Sequence, residues 1–304
     1  MVDLLVIGDA NPDVIVGPLT EPLAFGQHEQ LVDSGVLTLG GSGAITACGA
    51  ARLGLSVAIA ARVGDDAAGR FVRDSLAQRG VGTDALVVDD APTPLTVIVT
   101  RDGDRAMLTS GSWPSFAVPA ELLASARHVH VASYFLLPSM APVLPGLLAT
   151  ARRHGATTSL DTNDDPSGNW DVGSLLAEVD YLLPNANEAM RLAGAASVPE
   201  AAALLASRGP LVAVKDGAAG AFCHSGEKVL RSKGILMSPV DTVGAGDSFD
   251  AGFIAGKLHG MSDQRALNLA AVCGALSTLS PGGTASQPSW AEAMSYVDVE
   301  ESQE

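Results

Sequence analysis

The stretch DTVGAGDSFDAGF, Asp241–Phe253, sets an aspartate directly after Gly-Ala-Gly and then continues into small and apolar residues that read as a buried helix. A carboxylate is a poor packing choice there. If the helix begins at Gly244–Gly246, its free N–H groups and the positive end of its dipole converge beside Asp247. That spot suits an anion, above all the charge developing on a transferred phosphoryl group. Asp247 is not there to bind the phosphate, because like charges repel. It can accept the proton of a hydroxyl that attacks the phosphate. The plainer alternative is an aspartate that only complements the helix dipole.

Outward from this stretch the chain alternates between two periodicities. LLVI (4–7), SVAIAARVG (56–64), HVHVAS (128–133), TTSLD (157–161), DYLLPN (180–185) and LVAVKDG (211–217) read as buried parallel strands. Between them DAAGRFVRDSLAQRG (66–80) and PVLPGLLATARRHG (142–155) read as helices, the second ending in basic residues and glycine. The alternation predicts a three-layer α/β/α sandwich with a mainly parallel central sheet. Residues 11–39 and 92–112 break the pattern and are rich in Pro, Gly, Thr and Val. TPLTVIVTRDGDRAMLTS reads as two strands joined at Asp102-Gly103. These two segments are expected to form a small β-sheet lid inserted in one domain spanning 1–304. Residues 298–304 read as a frayed acidic tail.

Composition narrows the partners. Lys plus Arg number 18 against 34 Asp plus Glu, a net charge of −16, so the chain repels nucleic acid and anionic membrane. A bound phosphate must then be held by backbone amides, helix ends and a metal ion. No apolar run reaches the roughly 18 residues that span a bilayer. The start, MVDLLVIGDANPD, is not a secretory leader. Cys48, Cys223 and Cys273 are widely spaced, which fits reduced thiols in a cytoplasm, packed as small core residues.

A second glycine stretch, LGGSGAITACGAARLG (39–54), reads as a turn leading into a helix whose face of Ala44, Ala47, Cys48 and Ala51 allows close packing. Gly40 and Gly41 permit backbone to approach a ligand. The stretch is neither a Walker loop nor a full dinucleotide fingerprint. Asp13, in Asn-Pro-Asp, is a turn former or a ligand for hydroxyls. His128 and His130 alternate on one strand face at a metal-binding spacing, but nothing nearby in sequence completes a site, so structural roles are expected.

The two glycine stretches, in this order and at this separation, resemble the ribokinase or PfkB family of carbohydrate kinases over nearly the whole chain. VIGDANPDVIV resembles the family's first strand with its substrate aspartate at Asp13. GGSGAITA resembles the first signature and RVGDDAAGR the segment after it. PNANE matches the N-x-x-E motif at Asn185 and Glu188, VKDGAAGA resembles the nucleotide loop, and DTVGAGDSF matches the second signature. The resemblance implies a ribokinase-like fold and transfer of phosphate from ATP to an alcohol. Asp247 would be the general base, and the amides of Gly244, Ala245 and Gly246 the anion hole. Asn185 and Glu188 would organise hydrated Mg2+, their plainer reading being a helix cap. Lys215, Asp216, Gly217 and Gly220 would border the nucleotide, with its adenine near Ala271. A potassium-type cation would take Asp241 and the Val243 carbonyl, with Ser277, Ser280, Gly282 and Ser286 as further candidates. A solvated loop without a cation is the alternative.

Two departures from the family pattern bear on the acceptor. Ile45 stands where relatives often carry an asparagine, and isoleucine offers no hydrogen bond. Asp165, in DTNDDPSGNW, stands near where some fructokinase-like and ketodeoxygluconate-kinase-like relatives have arginine. The lid supplies only Arg101 and Arg105 as cations, so the expected acceptor is a small neutral sugar. Tyr134, Phe135 and Trp113 are candidates to stack on it, or core residues. A nucleoside acceptor and a non-catalytic sugar or nucleotide sensor are the rival readings. Lid strands in this family often pair between subunits, which makes a homodimer an expectation.

Overall fold

A computed structural model describes residues 2–111, 114–226, 228–235 and 237–301, with the helix alone given at 298–301. Trp113, a candidate stacking residue, lies outside the described residues, as do residues 302–304 of the expected tail. Strands apolar at every position need cover on both faces. Leu4–Ile7 (β1) and Val57–Gly64 (β4) are buried throughout. Leu4 and Val6 enter one core with Ile59, Ala61 and Phe253, whereas Leu5 and Ile7 enter another with Ala58, Ala60 and Val129. The period-two alternation of a strand therefore divides one apolar run between two layers.

In chain order β1 is followed by β2 (Asn11–Gly17), β3 (Ser34–Gly40), α1 (Ser42–Arg52), β4 and α2 (Ala67–Gln78). Next come β5 (Leu86–Asp89), β6 (Leu95–Arg101), β7 (Asp104–Ser110), α3 (Ala120–Ser125), β8 (His128–Val131), α4 (Leu144–Arg153) and β9 (Thr157–Leu160). The rest comprises β10 (Tyr181–Leu182), α5 (Ala186–Ala193), α6 (Val198–Ala206), β11 (Leu211–Lys215), β12 (Ala221–Ser225), β13 (Lys228–Ser232), α7 (Ala245–Leu258), α8 (Asp263–Ser277) and α9 (Trp290–Glu301).

The large sheet has the order β13-β12-β11-β10-β9-β8-β1-β4-β5. It is parallel from β11 to β5, and β12 and β13 close one edge as an antiparallel hairpin. That hairpin has no counterpart in the sequence reading, which ended its strands at LVAVKDG. Helices α1, α2, α7, α8 and α9 cover one face, and α3 to α6 the other. Strand β1 pairs with β4 on one side and β8 on the other, so the chain leaves it in opposite directions. A crevice opens above the carboxyl ends of the strands at such a switch point.

A separate sheet of order β3-β2-β6-β7 stands beside this crevice. Asp102 and Gly103, at φ 52° and 78°, join β6 to β7 in the two-residue hairpin that the sequence predicts. Ile15 and Ile98, paired across β2 and β6, pack on Val243 beside the glycine turn. The expected frayed tail differs: α9 continues to Glu301, anchored by buried Ala293 and Val297. Among the described residues no helix is long and apolar enough to cross a membrane.

Phe253 on α7 is fully buried and meets Tyr181 edge-on at 5.5 Å between ring centroids, joining α7 to the sheet. Phe253→Ala should cost about 3–5 kcal/mol of stability, read as a lower urea midpoint.

Candidate active site

The carboxyl ends of the parallel strands deliver one set of polar side chains. Asp9 follows β1, Ser133 follows β8, Asp161 and Asn163 follow β9, Asn185 follows β10 and Lys215 ends β11. The first turns of α7 and α1 bring Asp247, Asp250 and Ser42 to them, and β2 adds Asn11 and Asp13.

Helix α7 starts where the glycines place it. Gly244 caps it at φ 73°, a left-handed conformation, and a Cβ there would stand 2.5 Å from Gly283 Cα. Ala245, Gly246 and Asp247 are the first helical residues; the Ala245 N–H donates to the Thr242 carbonyl at 3.4 Å, while those of Gly246 and Asp247 have no carbonyl partner one turn back. Asp247 is buried. Burial, then Asp161 beside it, lifts its carboxyl to about 7, while Lys215 and a hydrogen bond from Ser42 pull the other way. Ser42 belongs to a longer chain of hydrogen bonds. Asn163 Nδ2 donates to Ser42 Oγ at 2.8 Å and to Ser133 Oγ at 2.9 Å, and Ser133 Oγ donates to Asp9 at 2.8 Å.

Lys215, expected at the nucleotide, lies beneath this turn instead. Its ammonium donates to Asp161 Oδ2 and Asp250 Oδ2, each at 2.8 Å. Burial alone would lower the ammonium's pKa, but Asp161, Asp250 and Glu188 around it more than offset that and hold it above its ordinary value. Burial acts to raise both acids. Lys215 and the hydrogen bonds it receives hold Asp161 below its ordinary value, whereas Asp250 stays well above. Oxygens of Asp161, Asp247 and Asp250 lie within 4.8 Å of one another, close enough for a metal ion. Lys215 supplies the positive charge there.

Asp13 sits at the mouth of the small sheet, where Asn11 Nδ2 donates to it at 2.9 Å and to Thr96 Oγ1 at 3.2 Å. Burial, and next Asp9, lift Asp13 to about 7. Gly40 makes room for it: a Cβ there would meet the Asp13 carboxylate at 2.1 Å. Gly41 turns at φ 86° against the Asp9 carbonyl. Two residues expected at the acceptor are placed in the packing. Ile45 is buried under the glycine turn, where its side chain touches Gly244 and Gly283. Tyr134 is buried in the second core, edge-on to Phe135.

Asn185 and Glu188 form a reciprocal capping box on α5, with Glu188 accepting from the Asn185 N–H at 2.8 Å and also from Asn185 Nδ2. Burial, then Asp161, lift Glu188 to about 7. These oxygen donors, set among buried acids, fit a hard divalent cation held through water. Asp216, Gly217 and Gly220 shape the tight turn from β11 into β12, closed by Asp216 N–H donating to the Gly220 carbonyl at 2.9 Å. Ala271 lies on α8, partly buried. Asp241 ties two loops together, accepting from Val243 N at 3.0 Å and Gly282 N at 2.9 Å. Of the other cation candidates, Ser280 and Ser286 lie along the same loop after α8. Ser277 is buried in that helix with its hydroxyl donating to the Gly274 carbonyl at 2.9 Å, and the Thr278 carbonyl next to it accepts from the Asp241 N–H at 3.1 Å.

His128 and His130 share Ser159 as a partner and are pushed down to about 3 and about 4, burial being the main cause, so both are neutral packing residues. Several site residues escaped the sequence reading. Asp9 and Asp161 each stand just past an apolar strand, a signal that was available; Asn163, Asp250 and Gln287 carry no local signal. Gln287 is buried and its Nε2 donates to the Ile45 carbonyl at 2.9 Å and Ser248 Oγ at 3.0 Å, joining α1 to α7. Gln287→Ala should remove both hydrogen bonds between the helices and cost about 1–3 kcal/mol, measured by chemical denaturation.

Comparison with known proteins bears on this arrangement. The family model described as pfkB family carbohydrate kinase matches residues 1–290. A fructokinase of Klebsiella pneumoniae is 34% identical over 272 residues, covering 82% of this chain and 88% of its own. An ATP-dependent ribose-1-phosphate kinase of Halopiger xanaduensis is 33% identical over 281 residues, covering 91% of this chain and 92% of its own. The structure of Arabidopsis thaliana ribokinase complexed with ribose and ATP superposes with a TM-score of 0.86 at 26% identity, over 97% of this chain and 98% of that one. With a ribokinase-like fold and a family match along almost its whole length, the chain belongs to the pfkB family of carbohydrate kinases.

Proposed function

We propose that the chain transfers the γ-phosphoryl group of ATP to a hydroxyl of a small neutral carbohydrate, with Asp247 as general base. The observation that carries this reading is the placement of a buried carboxylate, lifted to about 7, in the first turn of α7 at the glycine turn. The amides from Gly244 to Gly246 receive the charge of the phosphoryl group in transfer. Asp247 takes the proton of the attacking hydroxyl. Asn11 and Asp13 orient the other hydroxyls, with Ser42 and Asn163 at the edge of the pocket. The scarcity of cations supports a neutral acceptor. Lys215 is committed to Asp161 and Asp250 and Arg101 to Asp102, while Arg105 gives one N–H to the neutral Thr242 hydroxyl and keeps its charge.

Asn185 and Glu188 would hold hydrated magnesium, which neutralises phosphate charge when bound. Potassium would sit at the loops that Asp241 ties, using Asp241 and the carbonyls of Val243 and Gly282. The small sheet acts as a lid. Arg105 on β7 already donates to Thr242 Oγ1 at 2.9 Å, beside the glycine turn. Closing it over the acceptor excludes water, which otherwise competes as the attacking hydroxyl.

The first experiment is ADP release from MgATP, with and without potassium, across pentoses, hexoses, sugar acids and nucleosides. Asp247→Asn should lose about 10²–10⁴-fold in kcat while still binding ATP. Retained turnover in that variant would rule out the mechanism, and a nucleoside as best acceptor would replace the sugar reading. Tight binding without any turnover would indicate a sensor. Because the base must be ionised and its carboxyl stands raised, kcat/KM should fall as pH drops through about 7 and level off above it.

The lid also supports a homodimer. Leu37, Val14, Val97 and Leu108 lie in register across its strands, on the face opposite the Ile15 and Ile98 that pack on Val243. Leu37 is 56% and Leu108 63% exposed, and Phe25 and Leu31 stand out from the neighbouring loop. An apolar face of this kind invites a second copy. Leu37→Asp/Leu108→Asp should sediment as a monomer where the parent chain sediments as a dimer.

A further inference from the structure

Beneath the glycine turn lies a group that the proposed reaction does not use directly. Lys215 closes β11, and its ammonium reaches Asp161 past the end of β9 and Asp250 in α7, each at 2.8 Å. Asp250 follows Gly246 by one helical turn, so this pair fixes the turn that carries the anion-binding amides and Asp247. The contact is close: a Cβ on Gly246 would stand 3.5 Å from Lys215 Nζ. Asp250 is completely buried, and its Oδ1 lacks a hydrogen-bond partner among the described residues.

We infer that Lys215 is the positioning residue of this site, tying the first turn of α7 to the ends of β9 and β11 and supplying the one buried cation that keeps Asp247 able to act as a base. The inference rests on the reading of Asp247 given above. The charges around Asp247 come from every side. Asp9 follows β1, Asp13 is on β2, Asp161 follows β9, Glu188 is on α5 and Asp250 is on α7 itself; Ser42 on α1 adds a hydrogen bond. All of these side chains but Ser42 are acids, and Lys215 is the cation among them. Its ammonium draws Asp247 toward the ionised form against the pull of burial and of Asp161.

A role in mere packing and a role in setting the charge of Asp247 differ in their pH dependence. In Lys215→Met the ammonium is lost and Asp161, left unpaired, changes its own charge beside Asp247, so the acid limb of kcat/KM should move away from about 7 instead of keeping its place. ATP affinity should be held. A loss of equal size at every pH would overturn the inference. Should Lys215→Met fail to fold, a second pair of variants decides. The amide of Asp250→Asn can accept from Lys215 and donate to Asp161, as a protonated carboxyl does. Its kcat should exceed that of Asp250→Ala by about tenfold or more at similar KM for ATP. Equal kcat in the two would overturn the inference. Asp247→Asn assayed alongside separates the failures. If it stays active the general-base reading falls, and if it is inactive while Lys215→Met shows a pH-independent loss, only the role of Lys215 falls.

Discussion

Six carboxylates, Asp9, Asp13, Asp161, Glu188, Asp247 and Asp250, are buried in one crevice, and the ammonium of Lys215 stands among them. Burying a charge without a partner is costly enough that groups normally change protonation instead. Each acid here solves that problem locally. Asp161 and Asp250 share the Lys215 ammonium, Glu188 is held by its capping box, and Asp9 collects donors from Gly43 and Ser133. What remains is an electron-rich crevice ready for a hard cation and for hydroxyl protons. The fold accounts for the location, because parallel strands all end at the same side and each can bring one polar residue there.

The surrounding packing serves the same turn. Ile45 and Gly283 press on Gly244 from below, Val243 is gripped by Ile15 and Ile98 of the small sheet, and Asp241 fastens the preceding loop to Gly282. Gln287 then links the backbone of α1 to α7. Isoleucine at position 45 thus serves the packing of the glycine turn.

Much of this was legible in the sequence because the signals were local. The uninterrupted apolar runs give the parallel strands, Asp102-Gly103 gives the hairpin, and Gly-Ala-Gly-Asp gives the start of α7 at its correct residue. Other features depend on partners far away in the chain. Lys215 closes a strand two residues before Gly217, and the resemblance sets it at the nucleotide; its partners Asp161 and Asp250 lie 54 and 35 residues away. The β12–β13 hairpin was hidden for a different reason. Its strands, AFCHS and KVLRS, are short and mix polar with apolar residues, as an edge allows. The end of the chain reads as solvated acid, yet buried Ala293 and Val297 carry α9 through Ser295 and Tyr296 to Glu301.

The position of β1 in the middle of the large sheet has a consequence for how the molecule is made. Its neighbours begin at Val57 and His128, and the helix that completes the crevice begins at Ala245. A nascent chain therefore carries a wholly apolar strand with at least one open edge until more than a third of it has been synthesised. Contacts this distant in sequence slow folding and leave strand edges open to other chains. The site itself closes last, once α7 reaches the sheet, so partial chains hold a crevice of unbalanced acids without the turn that gives it chemistry.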